Sequence, residues 1–312
     1  MNNNFDIIVF GSATVDFFLT SKWFDQNFHL ESDAKIDVEQ KLVSGGGGGT
    51  NVAAGLSRLG LKTALVARLG QDQFSSLILD ELKKEGVCHR LTSVLSGEKT
   101  DSSIILVNQK GKKVILVSRG FTRLEAENIN WEQLDASWFH LSSLEGNLKL
   151  ASALISYAKT NNVKVSWNPG SRELLQKEKL ASLLTKIQIL ILNQKEIEDY
   201  LDLKITNSKF WPEVYKIDSP LIAITQNQKG CFLVFTKENR KIHLAAVKTK
   251  NIEATGAGDA FCSGIVAGLY HQAPPRKAAL WGLANGASVV SYFGAKTGLL
   301  TKKGIKKWLK KL

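Results

Sequence analysis

Cysteine is scarce in this chain: Cys88, Cys231 and Cys262 are odd in number, far apart and without CxxC spacing. That excludes a disulfide framework or a cysteine zinc site and fits a reducing cytosol. Proline is equally rare, five residues in 312, and no Pro/Gly/Ser linker or internal repeat divides the chain. One domain covering 1–312 is therefore expected. Long apolar runs are missing too; none approaches the roughly 18 residues of a membrane helix. The opening MNNNFDIIVFGSATVDFF has no cationic leader, and its apolar run is only of strand length. A cytoplasmic location is expected rather than a signal peptide. Acidic residues are outnumbered, 29 Asp and Glu against 41 Lys and Arg, for a net charge of +12. Such a surface favours anionic partners, such as phosphorylated metabolites, nucleic acid or acidic lipid. Disorder is excluded by 44% hydrophobic and 22% charged residues, a composition that supports a core without disulfide or metal staples.

Short apolar runs alternate with helical patterns along most of the chain. Those at 6–11, 63–69, 138–142, 163–167, 187–192 and 221–225 are rich in Val, Ile and Leu without clean alternation, as in a parallel sheet covered on both faces. Helical periodicity falls at 51–59, 74–85, 148–161, 173–185 and 194–201. The rhythm predicts an α/β fold: a doubly wound, mostly parallel central sheet with helices on both faces. Two segments break it. Strand patterns at 16–20 and 35–42 lie in one, and 102–117 reads as a hairpin turning at Gln109-Lys110-Gly111. The two are expected to pair as a small β-sheet lid, formed by insertions at about 16–43 and 99–119.

Three motifs carry chemistry. In Ser44-Gly45-Gly46-Gly47-Gly48-Gly49-Thr50-Asn51, five bare residues suit close approach of backbone N–H groups to a polar ligand, or equally a hinge between lid and core. In Ala254-Thr255-Gly256-Ala257-Gly258-Asp259-Ala260-Phe261, glycines open a helix whose free N–H groups suit a phosphate. The Asp there is either a helix cap or a base beside an anion hole. Asn193-Gln194-Lys195-Glu196 follows a buried strand, at the strand end where ligands bind in such sheets. The pair is a capping arrangement or a Mg²⁺–phosphate site.

In this order, the motifs resemble those of the ribokinase-like (PfkB) family of carbohydrate and nucleoside kinases, from end to end. GGGGGTN, Gly70-Gln71-Asp72, N-x-x-E and TGAGDAF carry the resemblance. It implies a kinase using ATP and Mg²⁺. Asp259 would be the catalytic base, with Gly256, Ala257 and Gly258 forming the anion hole. Asn193 and Glu196 would organise Mg²⁺ and phosphate. Asp16 and Asn51 would bind acceptor hydroxyls, Gly46 and Gly47 would let the acceptor approach, and Glu145 lies where some members contact the sugar. The nucleotide would lie near Thr225, Gly230 and Asn285, with Gly256 and Gly258 at its phosphates.

The chain also departs from the family pattern. Gly48 stands where sugar kinases often carry Lys. Asn227 replaces a turn glycine and can take its left-handed conformation. Glu253-Ala254 replaces the family's usual Asp-Thr, whose Asp helps ligate a monovalent cation in some members, which puts that cation in doubt. The expected acceptor is a sugar or sugar-like alcohol. A nucleoside is the alternative, as is a phosphorylated sugar held by Arg119 and Arg123. A rival of another class is a non-catalytic kinase-like protein that binds nucleic acid or a protein through its basic surface. The presence of Asp259 and the glycines speaks against it, and nucleic acid is not an expected partner. A homodimer through the lid is a further expectation. At the C-terminus, Ile305, Trp308, Leu309 and Leu312 form one stripe opposite lysines, a terminal helix docked on the core with a solvated basic face.

Overall fold

The computed structural model describes residues 4–25, 28–29, 32–250 and 252–310. Among them, one eight-stranded sheet runs in the order Arg240–Leu244, Cys231–Phe235, Leu221–Thr225, Ile189–Asn193, Lys164–Trp167, Ala136–Leu141, Phe5–Phe10, Thr63–Val66. Leu221–Thr225 and the strands after it in this order are parallel; the first two join antiparallel at that edge. The missing hydrophobic alternation has a direct cause. Ile8 and Phe10 point into one buried core while Ile7 and Val9 point into another on the opposite face. Leu190 and Leu192 divide from Ile189 and Ile191 in the same way. Successive side chains alternate faces, so a sheet buried on both sides needs every position apolar.

Two expected elements break. The run 63–69 is a strand only to Val66; Arg68–Gly70 then pairs with Ser93–Leu95 in a separate two-stranded sheet. Gly70 is pinned there by Thr100, whose hydroxyl accepts its N–H at 3.1 Å. The helix expected over 173–185 is two helices, Ser171–Leu174 and Lys177–Leu184. Between them the Gln176 side chain donates to Gly146 O at 2.8 Å, a bond to a distant loop that local periodicity does not report.

A second, four-stranded sheet has the order Gln40–Gly46, Thr14–Thr20, Ser102–Val107, Lys113–Ser118. The two segments that broke the rhythm do pair, Thr14–Thr20 with Ser102–Val107 in parallel. The strand expected at 35–42 instead runs to Gly46. Its ladder with Thr14–Thr20 ends at Thr20 opposite Gln40, with Glu39 N–H on Thr20 O at 2.7 Å, so among the described residues 35–38 has no strand opposite it. The hairpin turn is as expected, with the Asn108 side chain accepting the N–H groups of Lys110 and Lys112. Phe18, Ile105 and Val107 pack on one side of this sheet; Ile104, Ile115, Leu116 and Val117 are exposed.

The terminal helix is Lys302–Leu309, capped by Thr301, with Ile305 buried against the core and Trp308 and Leu309 half-buried beside it. Leu312, the last position of the expected stripe, lies outside the described residues. No helix among the described residues is long and apolar enough to cross a membrane.

Candidate active site

The helix Ala257–Tyr270 begins at Gly256, whose φ of 76° is left-handed. A Cβ there would stand 2.5 Å from Ala295 O, so only glycine makes this entry. Asp259 sits in the first turn but no side chain caps the helix. Its carboxylate instead accepts a hydrogen bond from Asn51 Nδ2 at 2.8 Å, from a residue 208 positions away. Among the described residues no hydrogen bond joins this carboxylate to the N–H groups of its own helix. Burial pushes the Asp259 carboxyl up to about 6; the Asp16 charge adds to the rise, while the Asn51 bond and Lys113 oppose it. A Cβ on Gly258 would meet nothing within 4 Å. The bare backbone there faces open space at a helix N-terminus, a cradle fit for an anion.

The glycine run is not a loop: it joins the small sheet directly to a helix. Gly45 and Gly46 end a strand, Gly47 has φ 86°, and Gly48 and Gly49 begin the helix Gly48–Arg58. Most of the room they leave is taken by the protein itself. A Cβ on Gly46 would lie 2.0 Å from Asp16 Oδ2, and one on Gly47 or Gly49 would lie 2.6 or 2.7 Å from Ser12 O. The room that Gly46 and Gly47 leave, expected from sequence to serve the acceptor, is filled by Asp16 and by the Ser12 backbone. Gly48 is the exception. Its nearest neighbours would be Ser142 Cβ at 3.4 Å and Asp259 Oδ1 at 3.6 Å. Gly48 therefore leaves room for a side-chain atom between Ser142 and Asp259.

Asp16 is 6% exposed and accepts the Thr14 hydroxyl at 3.0 Å. Burial holds its carboxyl above the usual value. Asn51 Oδ1 and Ser142 Oγ are buried without a partner among the described residues. Buried acceptors and hydroxyls are ordinarily satisfied, so both atoms have hydrogen-bonding capacity left unused among the described residues. Ser142 follows the strand Ala136–Leu141, a strand end like the others, but no motif marks a lone serine there.

On the other side of Gly258 lies a cleft of about 500 Å³ lined by Asn193, Thr225, Gly230, Lys248, Gly258 and Gly286 among others. Asn227 has a φ of 50°, the left-handed conformation expected of it. Asn285 does not line this cleft. It is fully buried, donating to Ala260 O and Ser263 Oγ at 3.0 Å each and accepting Leu300 N–H at 2.8 Å. Its polar atoms are used in joining helices; Gly282, Gly286 and Ala287 face the cleft from the same helix.

Asn193 and Glu196 form a reciprocal capping box: Glu196 N–H donates to Asn193 Oδ1 at 2.9 Å and Asn193 N–H to Glu196 Oε2 at 2.8 Å. Burial pushes the Glu196 carboxyl up, and the charges of Asp199 and Asp259 add to this. The pair thus caps a helix and also stands beside the cleft, within the field of Asp259. No cluster of three His, Cys, Asp or Glu among the described residues is arranged around a metal position. Glu145 is held by an ion pair with Arg119 and lines a separate small pocket with Ser12, Arg68, Asp101 and Arg123.

Residues 4–302 match the model of the pfkB family carbohydrate kinases. The chain belongs to this family. A ribokinase of Staphylococcus aureus is 28% identical over 277 residues, covering 84% of this chain and 86% of the relative. The fold recurs in solved structures. The ribokinase of Arabidopsis thaliana complexed with ribose and ATP superposes with a TM-score of 0.83 at 20% identity, covering 99% of both chains. The nucleoside kinase of Methanocaldococcus jannaschii superposes at 0.80 and 22% identity, covering 98% of this chain and 99% of its own. This carbohydrate kinase is a phosphotransferase with an alcohol acceptor.

Proposed function

We propose that the protein moves the γ-phosphoryl group of ATP to a hydroxyl of a neutral sugar, bound between the small sheet and the helix Ala257–Tyr270. The observation that carries this is the Asp259 carboxylate, free of any capping duty and held by Asn51 beside an open helix N-terminus. Asp259 orients the acceptor hydroxyl and takes its proton as the oxygen becomes acidic in forming its bond to phosphorus. The N–H groups after Gly256 stabilise charge on the transferred phosphoryl group. Asn51 Oδ1, Ser142 Oγ and Asp16 receive or donate to the remaining sugar hydroxyls. The ATP body fits the cleft beside Thr225, Gly230 and Gly258, and Asn193 and Glu196 are the residues that would hold Mg²⁺, through water. Bound Mg²⁺ supplies charge neutralisation on the phosphates.

Arg119 and Arg123, which suggested a phosphorylated sugar, are paired with Glu145 and Glu125. That supports a neutral acceptor. The small sheet acts as the lid, and its exposed Ile104, Ile115, Leu116 and Val117 support a homodimer through it. Free thiols at Cys88, Cys231 and Cys262 are compatible with a cytoplasmic location. The test is ADP release with ATP·Mg²⁺ over pentoses, hexoses, hexose phosphates and nucleosides. A pentose or hexose is expected to give the highest kcat/KM. A hexose phosphate or nucleoside in first place would overturn the acceptor, and no turnover with any of them would overturn the reading.

A further inference from the structure

The hairpin tip of the small sheet rests on the turn that leads into the catalytic helix. Lys113 opens the outer strand Lys113–Ser118. Its Nζ donates to Thr255 Oγ1 at 2.6 Å and lies 3.3 Å from Glu253 Oε1. Beside it, a Cβ on Gly111 would stand 3.0 Å from Ile252 O. Glu253 is 1% exposed. Its Oε1 also accepts the Thr255 N–H at 2.6 Å, folding the carboxylate onto its own turn, and its Oε2 has no partner among the described residues. A buried carboxylate is costly unless paired, and the cation facing this one arrives from another sheet. The turn it braces ends at Gly256.

The same sheet carries Asp16. Asp16 is opposite Ser103, and Ser103 is opposite Val117 in the strand that Lys113 begins. Docking of one sheet therefore delivers both an acceptor-binding carboxylate and an ammonium to the catalytic helix.

We propose that Lys113 is a positioning residue for phosphoryl transfer: from the small sheet it holds the 253–256 turn in the conformation that aims the helix N-terminus and Asp259, so the catalytic geometry is complete only while that sheet is docked. The proposal rests on reading Asp259 and the helix start as the catalytic centre. Lys113 also favours the ionised form of Asp259. The other groups facing that carboxylate are Asp16 from the small sheet, Asn51 from the helix Gly48–Arg58, Glu196 from the helix Gln194–Leu201 and the Cys262 thiol on its own helix.

The experiment compares Lys113→Met, Lys113→Arg and the double variant Lys113→Met/Glu253→Gln in the full chain, with Asp259→Asn alongside. Lys113→Met is expected to lower kcat by about tenfold or more, the scale of a small misplacement of reacting groups, with acceptor KM within about threefold of wild type. Its acid limb of kcat/KM should move to higher pH, because the charge that favours ionised Asp259 is gone. Lys113→Arg should recover most of the turnover. Lys113→Met alone leaves Glu253 buried and unpaired, so its melting temperature should fall. The double variant removes both charges and should regain melting temperature without regaining kcat. Recovery of kcat together with stability would show that Lys113 only stabilises, and so overturn the proposal. An unchanged kcat and acid limb in Lys113→Met would overturn it as well. If Asp259→Asn turns over normally, it is the catalytic reading that fails. If Asp259→Asn is inactive and Lys113→Met normal, Lys113 alone is excluded.

Discussion

Replacing Asp259 with Asn preserves side-chain size and leaves an oxygen to accept the Asn51 amide, so the helix start should keep its shape. What changes is the charge. In the folded chain burial moves this carboxyl from 3.8 to about 6. Each unit is about 1.4 kcal/mol, so the ionised form is disfavoured by at most about 3 kcal/mol. Solvent screening at a half-buried site brings this to ~1–2 kcal/mol. The sign follows from linkage. An acid with a raised folded value subtracts stability above its unfolded value, and the full penalty is present above about pH 6. Asp259→Asn is therefore expected to melt a few degrees higher than wild type at pH 8, with the gain fading toward pH 4. Turnover should fall by roughly 10²–10⁴-fold, the range for removing a general base, while ATP affinity changes only a few-fold. Wild-type kcat/KM should itself decline as pH drops below about 6. A helix cap would behave in the opposite way, with lower melting temperature and near-normal kcat. Steady-state ADP release and thermal melts on one preparation decide between them. Turnover within about threefold of wild type would refute the base.

Three further changes probe the rest of the site. Asp16→Ala should lower acceptor kcat/KM by about 10² or more while leaving ATP binding nearly intact, as for a site built to hydrogen-bond a hydroxyl; an unaltered value removes Asp16 from the acceptor pocket. Glu196→Gln keeps the capping geometry but removes the charge, so the Mg²⁺ concentration for half-maximal rate should rise at nearly constant melting temperature. A superimposable Mg²⁺ titration would leave Glu196 as a cap alone. Gly258→Ala places its methyl in open space, so the protein should fold normally yet show an ATP KM raised by about tenfold or more, because the methyl stands where phosphate oxygens meet the backbone; an ATP KM equal to wild type would move the phosphates elsewhere.

Sequence by itself determined the parallel part of the sheet, through repeated local signals; the antiparallel edge strands Cys231–Phe235 and Arg240–Leu244 are not among the runs it marks. The strand Leu221–Thr225 and the helix Gln194–Leu201 fall where apolar runs and periodicity put them, because burial on both faces writes the same apolar code into every central strand. The family motifs marked Asp259, Gly258, Asn193, Thr225 and Gly230, since a helix start or a strand end is a short stretch of contiguous chain. Long-range packing decided the remainder. Whether Gly46 serves a ligand or Asp16, whether Asn285 faces a cleft or a neighbouring helix, and whether Asp259 caps its helix or meets Asn51 are all questions about partners distant in sequence. Lys113 and Glu253 are 140 residues apart, and Ser142 belongs to no motif. Composition and periodicity record which residues are buried. Only the folded chain sets which buried polar atoms meet, because those contacts depend on how two sheets and the helices between them come together.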